Sequence, residues 1–139
     1  MRTSCLVLIL NLLLVFLASA KAQTFTGAFE GTGRACSGSL VVEAKSISWM
    51  TPFSKCRKVA YEVLDQGGGG NKQYYAFQLK QQQRGCLYSV LYLTHEEAAN
   101  MDINWNVIGY ASLKQYEADK QKGFETVPGS SLSCYLVTR

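Results

Sequence analysis

Hydrophobic and polar positions alternate with a period of two along most of this chain, the spacing that puts every second side chain on one face of a β-strand. Phe25, Gly27, Phe29 and Gly31 alternate with Thr24, Thr26, Ala28 and Glu30. Glycine in such a run marks a bend or a close backbone approach. Ser39–Glu43 predicts a second strand, and Ser46–Trp49 a third with Ile47 and Trp49 on one face. Thr51-Pro52 ends the third, because proline donates no ladder hydrogen bond. Val59, Tyr61 and Val63 mark a fourth strand over Val59–Asp65. Gly67–Asn71 reads as a flexible hairpin connection into a fifth, whose Tyr75, Phe77 and Leu79 share a face. Lys80–Gly85 turns the chain back. Cys86–Leu93 is apolar on both faces and predicts a central strand. His95–Met101 reads as a polar loop or short helical turn. Ile103, Trp105 and Val107 then alternate with Asn104 and Asn106, and Leu132–Val137 forms the last strand after a Pro128-Gly129 turn.

One segment breaks the period. Ser112–Gln121 predicts a helix, capped by Ser112 and ended by Gly123, with Leu113 and Tyr116 three apart and facing the sheet. Short strands at fairly regular spacing favour an antiparallel barrel, and closure removes exposed edges. The expected fold is mainly β: a single small antiparallel β-barrel, or strongly curved sheet, of about eight strands with one late α-helix.

The first 22 residues stand apart. Arg2 precedes an apolar run from Cys5 to Leu17, and Ala18-Ser19-Ala20 and Ala20-Lys21-Ala22 fit small-x-small cleavage sites. This predicts a cleaved signal peptide over 1–22, too short to span a bilayer, and a single β-rich domain over 23–139. The expected residence is secreted or periplasmic. The whole chain carries 14 Lys+Arg against 10 Asp+Glu, a formal charge of +4. Loss of Arg2 and Lys21 halves that excess, so net charge gives no argument for nucleic acid or for a membrane surface.

Cys36, Cys56, Cys86 and Cys134 remain after cleavage, an even set in an oxidising compartment, and predict two disulfides. The favoured pairing is Cys36–Cys56 with Cys86–Cys134. No C-x-x-C spacing supports zinc, so neither metal nor cofactor is expected.

No string completes a catalytic motif. His95-Glu96-Glu97-Ala98-Ala99 lacks the second histidine of H-E-x-x-H, and His95 is the only histidine. No serine sits in G-x-S-x-G. Gly31-Thr32-Gly33 and Gly67–Gly70 lack the residues that complete a phosphate loop. Glu30 with Glu62 is a carboxylate pair only if the fold brings them together. Two basic turns carry more. Lys55, Arg57 and Lys58 surround Cys56, and Lys80, Gln82 and Arg84 run into Cys86. A disulfide at the base of a loop reduces the entropy lost on binding.

These features predict an exported, non-catalytic binding protein, expected to be a monomer. It acts on a protein target through disulfide-braced loops. In size, export and staple count it is similar to the barrel-type bacterial lysozyme inhibitors, in architecture and not in motif. That similarity implies a basic loop, Lys80–Arg84, entering an acidic cleft. The alternative is a carrier of a small apolar ligand. The strand order with a late helix resembles the lipocalins, although no G-x-W opens the first strand. A third reading is an exported carboxylate-dependent hydrolase.

Overall fold

The alternating segments close into a wall in the computed structural model, which describes residues 24–81, 83–97, 105–124 and 131–139. The strands are β1 (Gly27–Gly31), β2 (Gly38–Val42), β3 (Ser46–Met50), β4 (Lys55–Gly69), β5 (Lys72–Leu79), β6 (Val90–Glu96), β7 (Trp105–Tyr110) and β8 (Leu132–Thr138). Each pairs antiparallel with the next, and β1 pairs with β8 to complete a closed barrel. The helix α1 (Leu113–Gln121) lies between β7 and β8 in sequence. The predicted leader lies outside the described residues.

An eight-stranded barrel encloses just enough space for side chains to fill. Here Phe29, Leu40, Ile47, Trp49, Phe77 and Leu93 are all buried in one inner cluster. Trp49 reaches across to β7, where only glycine fits: a Cβ on Gly109 would lie 2.5 Å from the Trp49 ring. Trp49 also packs on Tyr88 at 4.9 Å between ring centroids. At one end Phe25 stacks on Tyr75 at 4.2 Å and tilts against Trp105 at 5.2 Å, covering the interior like a lid of rings.

The second face of β6 explains why that segment reads as apolar throughout. Leu91 and Leu93 point inward, while Val90 and Tyr92 join an outer cluster with Ala76, Ile108, Tyr110 and Tyr116. α1 covers this face. Ser112 Oγ accepts from the Gln115 N–H at 3.3 Å, and the Gln115 side chain accepts from the Ala111 N–H at 3.1 Å, satisfying two donors at the helix start. At the other end the Gly123 and Phe124 N–H groups donate to Lys120 and Asp119 carbonyls. Phe124 then stacks on Tyr92 at 4.3 Å. The Tyr110 hydroxyl donates to Asp119 Oδ2 at 2.5 Å, and both residues are buried.

Four expectations need correction. The disulfides are Cys36–Cys134 and Cys56–Cys86, not the expected Cys36–Cys56 and Cys86–Cys134. Barrel closure sets the β1–β2 loop beside β8, and the β4–β5 pairing sets the start of β4 beside the β5–β6 loop. Cys86–Ser89 is not strand, because the Leu87 N–H is taken by Ser54 Oγ at 3.0 Å rather than by a ladder carbonyl. β4 runs through the glycines to Gly69, and only Gly70 and Asn71 turn. His95 and Glu96 belong to β6, whose ladder pairs His95 with Trp105; residues 98–101 and Ile103 lie outside the described residues.

The two bridges close loops of different length, with sequence separations of 98 and 30. Loop-closure entropy then assigns about 4.7 kcal/mol to the long bridge and about 3.6 kcal/mol to the short one. Thermal and denaturant unfolding should therefore show Cys36→Ser/Cys134→Ser as less stable than Cys56→Ser/Cys86→Ser; the reverse order would contradict closure as the dominant constraint.

The outer tyrosines generate a second prediction. Burial, then the neighbouring Tyr116, Tyr74 and Asp65, pushes Tyr92 from 10.0 up to about 12. Burial, then its hydrogen bond to the Asp119 carboxylate, raises Tyr110 further. A phenol whose pKa is raised by folding stabilises the native state below its unfolded pKa and loses that contribution as pH rises through the folded value. Unfolding should thus set in above pH 10 and track tyrosinate absorbance. Tyr92→Phe, which cannot ionise, should shift the midpoint upward in pH.

Candidate functional site

Both disulfides brace the same end of the barrel, where the β1–β2, β3–β4 and β5–β6 connections lie. The two basic turns singled out in the sequence meet there. Cys56, the second residue of β4, is bonded to Cys86 in the β5–β6 loop. The Lys55 N–H donates to the Gly85 carbonyl at 2.8 Å. Gln83 adds a bidentate clasp: its Oε1 accepts from the Arg57 N–H at 2.9 Å, and its Nε2 donates to the Arg57 carbonyl at 2.7 Å. The loop is pinned to β4 by one covalent bond and three hydrogen bonds.

A β-bulge decides where the charges point. β3 pairs Ile47 with Val59 and Trp49 with Cys56, so Arg57 and Lys58 together oppose Ser48. Lys58 adopts φ 44°, a left-handed conformation unusual for a residue with a Cβ, and its N–H donates to Ser48 Oγ at 2.9 Å. Regular alternation would turn one of the two inward. The extra residue leaves Arg57 and Lys58 both exposed.

Lys55, Arg57, Lys58, Lys80 and Arg84 are all exposed. Lys80 contacts Glu62 at 3.9 Å, a distance worth little in solvent. Among the described residues the other four have no carboxylate within ion-pair range. Gln82 lies outside the described residues. Beside the cations stand two large apolar side chains, Phe53 at 64% and Leu87 at 54% exposure. Neither hangs on a loose loop. Thr51 Oγ1 accepts from the Phe53 and Ser54 N–H groups at 3.3 and 3.0 Å, and buried Ser54 Oγ holds Leu87 by its backbone.

Sequence reasoning missed Gln83, Phe53 and Leu87. Three consecutive glutamines carry no mark of which one turns inward, and a phenylalanine after proline reads as core until the turn around Thr51 exposes it. The other candidates come apart. Glu30 is held by Arg139 at 2.9 Å and Glu62 faces Lys80, so each carboxylate is drawn to its own cation. The His95 ring is tilted against Trp105 at 4.6 Å between centroids. Among the described residues no three His, Cys, Asp or Glu side chains cluster as metal ligands.

No family model, curated protein or solved structure matches this chain. Its geometry alone therefore carries the functional argument. Two disulfides fit an oxidising environment, and no helix among the described residues is long and apolar enough to cross a membrane.

The clasp is testable by itself. Two hydrogen bonds of ~1 kcal/mol net each predict that Gln83→Ala costs about 1–2 kcal/mol of stability. Amide exchange at Arg57 should speed up while the β6–β7 ladder keeps its protection. Unchanged exchange at Arg57 would show that the disulfide alone holds the loop.

Proposed function

We propose that this protein is an exported recognition module that binds an acidic site on a protein partner through the disulfide-braced basic end of its barrel. One observation carries the reading: Cys56–Cys86 and the Gln83 clasp join two separate basic turns into a single rigid surface. Four cations there have no carboxylate partner among the described residues. Arginine forks match carboxylates in bidentate geometry, and pre-ordered loops lose little entropy on docking. Phe53 and Leu87 add apolar area beside the charges, the mixture in which binding hot spots form. Residence in a secreted or periplasmic compartment belongs to the same proposal. An inhibitor of an enzyme with an acidic cleft, in the manner of the barrel-type lysozyme inhibitors, is its most specific form.

The filled interior weighs against a small-ligand carrier. Trp49 and Phe77 are each 1% exposed, and Phe25 covers one end, stacked on Tyr75 and tilted against Trp105.

Native mass spectrometry of the oxidised protein, purified from its host's extract, should show a 1:1 complex with a second protein. Arg57→Glu/Arg84→Glu should weaken that complex at least a hundredfold while leaving the thermal midpoint near that of the wild type. A co-purifying apolar small molecule, or a protein complex indifferent to the charge reversal, would overturn the reading.

A further inference from the structure

The opposite end of the barrel is built differently. β2 stops at Val42 beside Gly27 of β1, and β3 starts at Ser46 beside Ala60 of β4. Above that level the lead-in to β1, Thr24–Thr26, and the upper part of β4, Tyr61–Gly69, continue without β2 and β3 between them. The Tyr61 hydroxyl donates to the Glu43 carbonyl at 2.9 Å and pins the β2–β3 turn as the base of this gap. The result is a slot of about 770 Å³ walled by Thr24–Thr26 and Gln66–Gly70, with the stacked Phe25 and Tyr75 rings at its side.

One wall is a free strand edge. Tyr61–Gly69 pairs with β5 along one side only. On the other side, alternate N–H and C=O groups have no backbone partner among the described residues. Sheet edges of this kind take up an extended chain as an added strand. Val63 stands on the edge at 47% exposure. Gly67 and Gly68 serve the hairpin itself, since a Cβ would strike the Tyr74 hydroxyl at 2.7 Å or the Lys72 carbonyl at 2.3 Å. Gly69 leaves the approach open.

We propose that this slot binds an extended peptide segment of a protein partner, added as a strand to the Tyr61–Gly69 edge. The width selects that occupant. β1 and β4 are three strand spacings apart, ~14 Å at ~4.8 Å each, which leaves room for one or two strands. A second copy of this barrel would bring β5 and β6 in behind its own β4, three strands into that gap, and would collide with Thr24–Thr26. The bound segment is read mainly through its backbone, with an apolar side chain at the position that meets Phe25 and Tyr75. This surface is independent of the basic end.

The test selects random 12-residue peptides displayed on phage against the oxidised protein. Hydrogen exchange is then measured with the enriched peptides. Enriched peptides should protect amides within Tyr61–Gly69. Val63→Lys, a charge placed on an edge that is already exposed, should weaken them at least tenfold, and Arg57→Glu/Arg84→Glu should leave them unchanged. Failure to enrich any peptide, or enrichment of peptides that protect other strands, would overturn the proposal. So would protection of this edge without peptide that rises with protein concentration, which would assign the slot to a second copy.

Discussion

The seam between β1 and β8 is the contact on which the barrel depends. It is short: Phe29, Glu30 and Gly31 pair with Thr138, Val137 and Leu136, against eight paired positions between β4 and β5. Every inward side chain needs that seam closed, because an open sheet would leave Phe29, Leu40 and Leu136 facing water. Three contacts reinforce it from its flanks. The Thr32 N–H donates to the Tyr135 carbonyl, the Arg139 N–H to the Ala28 carbonyl, and Arg139 pairs with Glu30. Cys36–Cys134 then ties the β1–β2 loop to the last strand across 98 residues. A covalent link is worth most where chain entropy opposes contact most, and the two ends of a barrel are that place.

Strand length divides the molecule into two unlike ends. At the end where β4 begins, loops are short of freedom: two disulfides, the Gln83 clasp and the Thr51–Ser54 turn hold them in place. At the other end β4 and β5 outrun β2 and β3, and backbone groups on the outer side of β4 have no backbone partner among the described residues. A hairpin arm in water gains nothing from such an edge, and proteins commonly cover or charge theirs. β4 is blunted only in part, by the irregularity between Val63 and Asp65 and by the ion pairs of Glu62 and Asp65 with Lys80 and Lys120.

Much of the wall was legible because the alternation is strict where one face is buried and the other wet. Phe29, Ile47, Trp49, Phe77 and Val107 all point inward as their parity requires. The helix was legible from Ser112 and Gly123. What escaped was non-local. Loop entropy favours joining cysteines that are near in sequence, but which strands become neighbours is decided by closure, and no local pattern encodes closure. The glycine run looked like a loop because glycine disfavours strands, yet β5 pairs with it through Lys72 and Gln73 and holds it extended. The basic turns were visible as charges around cysteines; that they form one surface followed only from Cys56 meeting Cys86.

A solid interior also constrains what recognition this fold can perform. A barrel with an open lumen discriminates by enclosing its ligand, and its outer loops are free to vary. Here Trp49, Tyr88 and Phe77 occupy the volume a ligand would take, and the Trp49 ring is set so close to β7 that Gly109 has no room for a methyl group. Hollowing such a core would require several large-to-small changes, each costing roughly 2–5 kcal/mol, against a net stability of ~5–15 kcal/mol for a domain of this size. The inside is committed to stability. The recognition proposed above therefore rests on the rims, where Arg57, Lys58 and Arg84 are exposed at one end and the edge of β4, unpaired among the described residues, lies at the other.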